Sequence, residues 1–208
     1  RPDAGESDAG GPSRQYDAAD RRPLAERCIL GFGSTSGPPT LPNYFYNNLK
    51  VIVQTRDWVM IYNEMVHDTR MIPIGGDHLP PHVTQWMGSS VGHWEGDTLV
   101  FDTVSLHSSD EGRTILDRTG LYLSDAAHIV TRMRKLDDET MEARMTIEDH
   151  NALTALWVVT KTYRKLEEET RVYDYACAGN NRNPVDVENN RTLILGPDGE
   201  ILNSDIQR

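Results

Sequence analysis

The sequence lacks the features that would assign it to a functional class at once. No apolar run approaches the ~20 residues that a membrane-spanning helix requires, and no Gly-rich nucleotide loop, Walker loop or G-x-S-x-G motif is present. The 208 residues include 32 acidic but only 21 basic side chains, which gives a net charge of −11. Because nucleic-acid binding requires clustered Lys and Arg, we expect neither nucleic acid nor a membrane as a partner.

Cysteine is also scarce, since the chain has only Cys28 and Cys177. Two cysteines are too few for a cysteine-based zinc site or a disulfide-rich scaffold. They form either one bridge, which implies an oxidising compartment, or two buried free thiols, and their spacing does not decide between these. The chain begins at Arg1 rather than at Met, which is typical of a processed N-terminus. We therefore expect a periplasmic or secreted protein, with a cytoplasmic location as the alternative.

The composition indicates one globular domain with an extension at each end. Hydrophobic residues make up 38% and charged residues 25% of the chain, which is the balance of a folded protein. Residues 1–25 contain almost nothing apolar and predict a flexible tail or a surface strap. Residues 26–180 form the predicted β-domain. Residues 181–208 form a C-terminal extension in which 192–202 predict a β-hairpin, a contact through which two copies of the chain would form a homodimer.

Short runs of β-branched and aromatic residues predict an all-β fold with no long amphipathic helix. The predicted strands are residues 49–55, 58–65, 69–74, 91–94, 98–104, 128–136, 140–149, 156–165 and 171–176. The clearest is 140–149, where apolar residues from Met141 to Ile147 alternate with polar ones, so that one face lies in a core. Tight polar turns join neighbouring strands. This pattern favours an antiparallel up-and-down barrel, which removes exposed edges, over a two-sheet sandwich.

The most informative stretch for chemistry is residues 63–70, which contain Asn63, Glu64, His67 and Arg70. They place an amide, a carboxylate, an imidazole and a guanidinium at the end of one predicted strand, the turn and the start of the next. On a regular strand Glu64 and His67 point to opposite faces, so both reach one cavity only if a bulge intervenes. A polar hairpin end with surface ion pairs is the competing explanation. We expect at least one of Glu64, His67 and Arg70 to line a functional pocket.

Other polar and aromatic residues extend this candidate set. His128 and Arg132 share one face of a predicted strand and are predicted to point inward, although a hydrogen-bonded core histidine explains His128 equally well. Aromatic residues such as Tyr46, Tyr62 and Trp86 line a pocket or belong to the core. The histidines near residue 67 match no compact metal-ligand spacing. The sequence therefore predicts no metal site and no cofactor.

Six segments resemble a large, poorly characterised family of bacterial β-rich proteins that often carry a secretion signal. The segments are Ala25-Glu26-Arg27-Cys28, Tyr46-Asn47-Asn48, residues 63–70, His78-Leu79-Pro80-Pro81, Gln85-Trp86-Met87-Gly88 and residues 92–100 (GHWEGDTLV). The resemblance extends from about residue 22 to residue 177 and implies a calycin-like fold, meaning a lipocalin-type barrel. Family members usually have His and Glu directly after the second cysteine, where this chain has Ala178 and Gly179. A role for that pair is therefore not carried over.

The resemblance also implies an activity, because distant members are associated with the catabolism of lignin-derived aromatic dimers by a cofactor-independent, decarboxylating lyase. For this chain it implies a lyase or isomerase that acts on a hydrophobic aromatic acid. The catalytic residues are expected to be His67, Glu64, Tyr46 and Tyr62, and the substrate-binding residues Arg70, Arg132, His128, Asn63 and Trp86. The histidine or glutamate removes a proton, an arginine holds the carboxylate and a tyrosine protonates the phenoxide. The alternative is a non-catalytic barrel that binds the same small molecule.

Overall fold

The chain folds almost entirely into antiparallel strands. The computed structural model describes residues 27–30, 48–108, 114–115, 122–173, 175, 185–186, 191–192 and 201. The strands are β1 Lys50–Gln54, β2 Trp58–Asn63, β3 Thr69–Pro73, β4 Ser89–Glu95, β5 Thr98–Val104, β6 Thr114–Ile115, β7 Tyr122–Leu123, β8 His128–Lys135, β9 Thr140–Glu148, β10 Trp157–Arg164, β11 Val185–Asp186 and β12 Arg191–Thr192. A 3-10 turn, Met65–His67, separates β2 from β3. The all-β prediction is confirmed.

Two sheets contain the eight longer strands. β1, β2 and β3 form a three-stranded sheet, and the other five follow the order β10-β9-β8-β5-β4. Neighbouring strands within each sheet are antiparallel. Short turns connect most of them, such as Gly96-Asp97 between β4 and β5, where Gly96 has φ 61°, whereas residues 105–127 separate β5 from β8. β6 pairs with β7 and β11 with β12. Within the described residues β1 and β10 do not pair with each other, so no closed barrel is present there.

The two sheets meet between β3 and β4. An isolated parallel bridge pairs Ile74 with Gly92, and the backbone N–H of Gly75 donates to the carbonyl of Gly92 at 2.7 Å. A Cβ at position 92 would lie 3.0 Å from Cγ2 of Ile72, so glycine permits the close approach of the two strands. The strand order thus continues from one sheet into the other.

The inner faces of both sheets share one hydrophobic core. Its buried residues are Val59, Ile61, Ile72, Leu99, Phe101, Met133 and Ala143. They come from five strands and occupy alternate positions, as the period of two requires. A second cluster, centred on Leu106, Leu123 and Ile129, also includes Ala127 from the loop between β7 and β8. Burying each large side chain contributes about 1.5–3 kcal/mol, so this shared core holds the two sheets together.

Most predicted strands lie within a few residues of the observed ones, and the inward apolar face of 140–149 is confirmed by the burial of Ala143, Met145 and Ile147. The predicted strand 171–176 is wrong for its described residues, because 171–173 and 175 are not in a strand. In the predicted C-terminal hairpin, Thr192 pairs with Val185 instead, and residues 193–200 lie outside the described part, as do the predicted tail 1–25 and Tyr46.

Cys28 is disulfide-bonded, so the free-thiol alternative is wrong for this residue. The other cysteine of the chain, Cys177, lies outside the described residues. Two residues beyond Cys28, Leu30 is buried against Met87 in a small hydrophobic cluster. This cluster attaches the segment before β1 to the domain.

Candidate functional site

The polar stretch 63–70 leaves the regular strand conformation directly after Asn63. The backbone N–H of Asn63 donates to the carbonyl of Asp68 at 2.8 Å, which closes the turn. Glu64 is helical, with φ −59° and ψ −50°, while Val66 and His67 have φ 64° and 43°. Positive φ is costly for a β-branched residue such as valine. The alternation of strand faces therefore stops at Asn63 and does not determine where Glu64 and His67 point.

A small cavity of about 30 Å³ lies between the inner faces of the two sheets, which is room for about two water molecules. Its lining residues are Lys50, Ile52, Ile61, Asn63, Arg70, Phe101, Thr131, Met133, Ala143, Met145 and Tyr163. Asn63 and Arg70 were predicted as site residues. Lys50, Thr131 and Tyr163 are polar lining residues that were not predicted.

Arg70 is the most deeply buried charge in this cavity, with 7% of its surface exposed. Its Nε has no hydrogen-bond partner among the described residues, and its guanidinium carbon lies 6.0 Å from the centre of the Phe101 ring. Burial lowers the pKa of Arg70 to about 10, against the opposing charges of Tyr163 and Asp68, so the group stays cationic at neutral pH. A buried cation with an unsatisfied donor is costly, and an anion that reaches the cavity would offset this cost.

Two lysines complete a cationic cluster with Arg70: Lys50 of β1 and Lys161 of β10. Burial and, after it, the positive charges of Lys161 and Arg70 lower the pKa of Lys50 to about 7, while Glu64 opposes the shift. Burial likewise lowers the pKa of Lys161 to about 8, and its Nζ lies 5.4 Å from the centre of the Tyr163 ring. This concentration of positive charge contrasts with the net charge of −11 of the whole chain.

A wide groove of about 1420 Å³ makes the two lysines of this cluster accessible from outside, while Arg70 lines only the small cavity. Lys50 and Ile52 from β1 lie in its lining together with Lys161 and Tyr163 from β10. Further apolar lining comes from Val59, Ile61, Leu99, Met133 and Met141. Apolar walls with a few convergent polar groups are typical of small-molecule sites. The charged residues of this lining are of both signs, because Asp97, Asp137, Asp138 and Glu139 accompany the basic residues.

Glu64 and His67 occupy different environments, as a turn between strands allows. Glu64 is 6% exposed, and its Oε2 accepts a hydrogen bond of 3.4 Å from the backbone N–H of Leu49. His67 is exposed, and its backbone N–H donates to the carbonyl of Glu64 at 3.1 Å. The structure places the Glu64 charge near Lys50 but does not bring the His67 imidazole into the cavity lining.

The predicted inward orientation of His128 and Arg132 is wrong. The buried positions of β8 are Ile129, Thr131 and Met133, so the two predicted residues lie in the opposite phase, on the outer face. Arg132 forms an ion pair with Glu95. His128 Nε2 lies 3.5 Å from the Asp102 carboxylate.

The aromatic candidates are also dispersed. Tyr62 lies between the buried Ile61 and Asn63 and is only half-buried, because its side chain points to the outer face of β2. Trp86 packs edge-to-face on His107 with ring centres 4.4 Å apart, beside the Leu30–Met87 cluster. Neither aromatic ring is therefore part of the cavity lining formed by the described residues.

A second polar group, the outer network, lies on the outer face of β4 and β5. His78 Nε2 donates to Asp102 Oδ2 at 2.8 Å, and His78 Nδ1 lies 3.2 Å from Ser89 Oγ. The backbone N–H of Leu79 also donates to Ser89 Oγ at 3.2 Å. These contacts fasten the loop between β3 and β4 to the sheet.

The sequence carried a usable signal for one of the missed lysines. One face of β10 contains Trp157, Val159, Lys161 and Tyr163, so a charged residue lies on the otherwise apolar, inward face. Lys50 gave no such signal, because apolar residues occupy both phases of β1. Its position was decided by the pairing of Lys50 with Asn63.

The chain matches no family model, no curated protein and no solved structure. Among the described residues, no helix is both long enough and apolar enough to cross a membrane. Within the same part of the chain, no group of three or more His, Cys, Asp or Glu side chains is placed to hold a metal ion.

Proposed function

We propose that the cavity and groove between the two sheets bind a hydrophobic aromatic carboxylic acid. Arg70 binds the carboxylate, Lys50 and Lys161 add positive charge beside it, and the apolar inner residues contact the ring. The observation that carries this proposal is the buried Arg70 guanidinium, whose Nε has no hydrogen-bond partner among the described residues. Charge-assisted hydrogen bonds to a carboxylate are about twice as strong as neutral ones, so such a ligand compensates the desolvated charge.

The proposal includes closure of the eight longer strands into a calycin-like barrel. Three observations support it: the strand order continues through the Ile74–Gly92 bridge, both sheets contribute to one core, and β1 and β10 line the same groove. About eight strands enclose a space that holds one small ligand. The disulfide at Cys28 supports a periplasmic or secreted location for this barrel, because structural disulfides persist in oxidising compartments.

A cofactor-independent lyase acting on the bound acid is the second candidate function. The observation that favours it is the lowered pKa of Lys50, about 7, because a general base is most effective when its pKa lies near the operating pH. Lys50 lines the cavity with Arg70. In this version Lys50 takes the proton-transfer role that the sequence assigned to His67 or Glu64.

Calorimetry with 4-hydroxycinnamic acid and its uncharged methyl ester tests the acid site, using Arg70→Met and the matched outer-face variant Arg132→Met. We expect Arg70→Met to weaken binding of the acid by about tenfold or more, since a hydrogen bond to a charged group contributes about 1.5–3 kcal/mol. We expect Arg132→Met to bind the acid, and Arg70→Met to bind the ester, like the wild type. Equal affinity of wild type and Arg70→Met for the acid would disprove the proposed role. Mass spectrometry of the same incubations reports whether carbon dioxide is lost, which separates a lyase from a carrier.

A further inference from the structure

We propose that the side-chain amine of Lys50 forms an imine with a carbonyl group on the bound acid, so that the ligands of this site include aromatic acids that carry an aldehyde or ketone. This inference rests on the proposed acid-binding function, because the carboxylate must be held for the carbonyl to reach the amine. It adds a covalent step and a narrower substrate class to that function.

The geometry places an amine and a carboxylate-binding group in one compartment. Lys50 and Arg70 line the same small cavity, and Lys50 also lines the wide groove. In the three-stranded sheet, Ile52, Ile61 and Arg70 form one cross-strand row, and Lys50 precedes Ile52 by two residues on the same face. A ligand whose carboxylate lies on Arg70 therefore extends its other groups past Lys50.

Imine formation requires a neutral amine, and the surroundings of Lys50 supply one. Among the described residues, the charged groups that shift its pKa are Lys161 from β10, Arg70 from β3 and Glu64 from the turn after β2. Burial and the two cations outweigh the effect of this carboxylate. The resulting pKa of about 7 leaves about half of the amine neutral at pH 7. Burial and a neighbouring cation are the known means of activating lysine for Schiff-base chemistry.

The covalent step is balanced without a metal or an oxidant. The neutral amine nitrogen attacks the carbonyl carbon, and the carbonyl oxygen leaves as water after proton transfer. The product is an imine, which water hydrolyses back to the free lysine and the original carbonyl compound. Added cyanoborohydride delivers hydride to the imine carbon and converts the adduct into a stable secondary amine, which can be located by peptide mapping.

The test treats the folded full chain with 4-formylbenzoate and cyanoborohydride at neutral pH, followed by peptide mass mapping. The chain contains only four lysines, Lys50, Lys135, Lys161 and Lys165, so assignment is simple. We expect one carboxybenzyl group on Lys50, much slower labelling by benzaldehyde, which lacks the carboxylate, and loss of the label in Lys50→Met. The outer-face variant Arg132→Met, at a position that lines neither the cavity nor the groove, provides the control and should label like the wild type. The labelling rate should have its pH midpoint near 7.

Calorimetry with benzoate on the same samples separates the two proposals. Benzoate binding with no label on Lys50 would overturn the imine proposal and leave the acid site intact. Absence of both would overturn both. Label confined to Lys161, to the exposed lysines or to the terminal amine would also overturn the assignment to Lys50. This outcome is measured on the wild-type protein, so it does not depend on whether any variant folds.

Discussion

The inner and outer faces of the same strands carry similar side chains in opposite physical states. Arg70 on the inner face of β3 is buried, and burial lowers its pKa to about 10. Arg132 on the outer face of β8 hydrogen-bonds to Glu95, and this bond raises its pKa. The difference shows that the strand phase, rather than the residue type, decides whether a charged side chain is exposed and paired or buried.

This contrast explains why the inner face is the better location for function. On the outer face, water and partners such as Glu95 satisfy a charge at little cost. On the inner face, Lys50, Arg70 and Lys161 are desolvated together, a destabilising arrangement that a purely structural core would avoid. Lys50 and Arg70 line one cavity, and Lys50 and Lys161 line one groove. Perturbed groups that share such a space are characteristic of functional sites.

The largest expected difference between the faces concerns stability. Ile72 is 0% exposed and its neighbour Met71 is 49% exposed. Ile72→Ala should lower the free energy of unfolding by about 2–5 kcal/mol, because it leaves a cavity where the two sheets meet. Met71→Ala, the matched control on the outer face, should change it by less than about 0.5 kcal/mol. Urea unfolding measures both, and similar losses in the two variants would contradict the assignment of faces.

The second prediction concerns the pH dependence of stability. The pKa of Lys50 falls from 10.5 to about 7 on folding, and that of Lys161 falls from 10.5 to about 8. Between these values and 10.5 the unfolded chain binds protons that the folded chain has lost, so the free energy of unfolding should rise with pH. The slope is at most about 1.4 kcal/mol per pH unit for each lysine.

Urea titrations over about pH 6 to 9 check this prediction. The control is the double variant Lys50→Met, Lys161→Met, in which the free energy of unfolding should not show this increase with pH. The other titratable groups are the same in both proteins, so their contribution to the pH profile is shared. If the wild type and the control had the same pH profile, the two lysines would not be desolvated in the folded state.

Much of the fold was predictable because a strand with one buried face has apolar and polar residues at alternate positions. Residues 140–149 have one apolar phase, and that phase is the buried one. The predicted strand 171–176 has a similar composition, but its described residues are not in a strand, because composition alone does not supply a partner for the backbone. The closeness of β3 and β4 depends on the small size of Gly92, which a single sequence does not reveal.

The site was predictable in part for the same reason. Arg70 lies in β3, where regular alternation begins again after the turn. It therefore points to the same, inner face as Ile72, two residues later. His67 lies where two successive residues have positive φ, and no periodicity applies there. Lys50 meets Arg70 only through the register of three strands, which is a tertiary property.

The smallest expected effect belongs to the outer face. The bond from Arg132 and then that from His93 lower the pKa of Glu95 from its ordinary value of 4.5, so any stabilisation is present above about pH 4.5 and is lost as pH falls through the folded value. Glu95→Gln removes this carboxylate, but water and salt already screen it. We expect no change in Tm at physiological salt, and at low salt a small decrease that disappears in acid. Arg132→Met should behave in the same way. A marked decrease in Tm for either variant at physiological salt would mean that the Arg132–Glu95 ion pair on the outer face contributes as much to stability as the buried residues of the inner face.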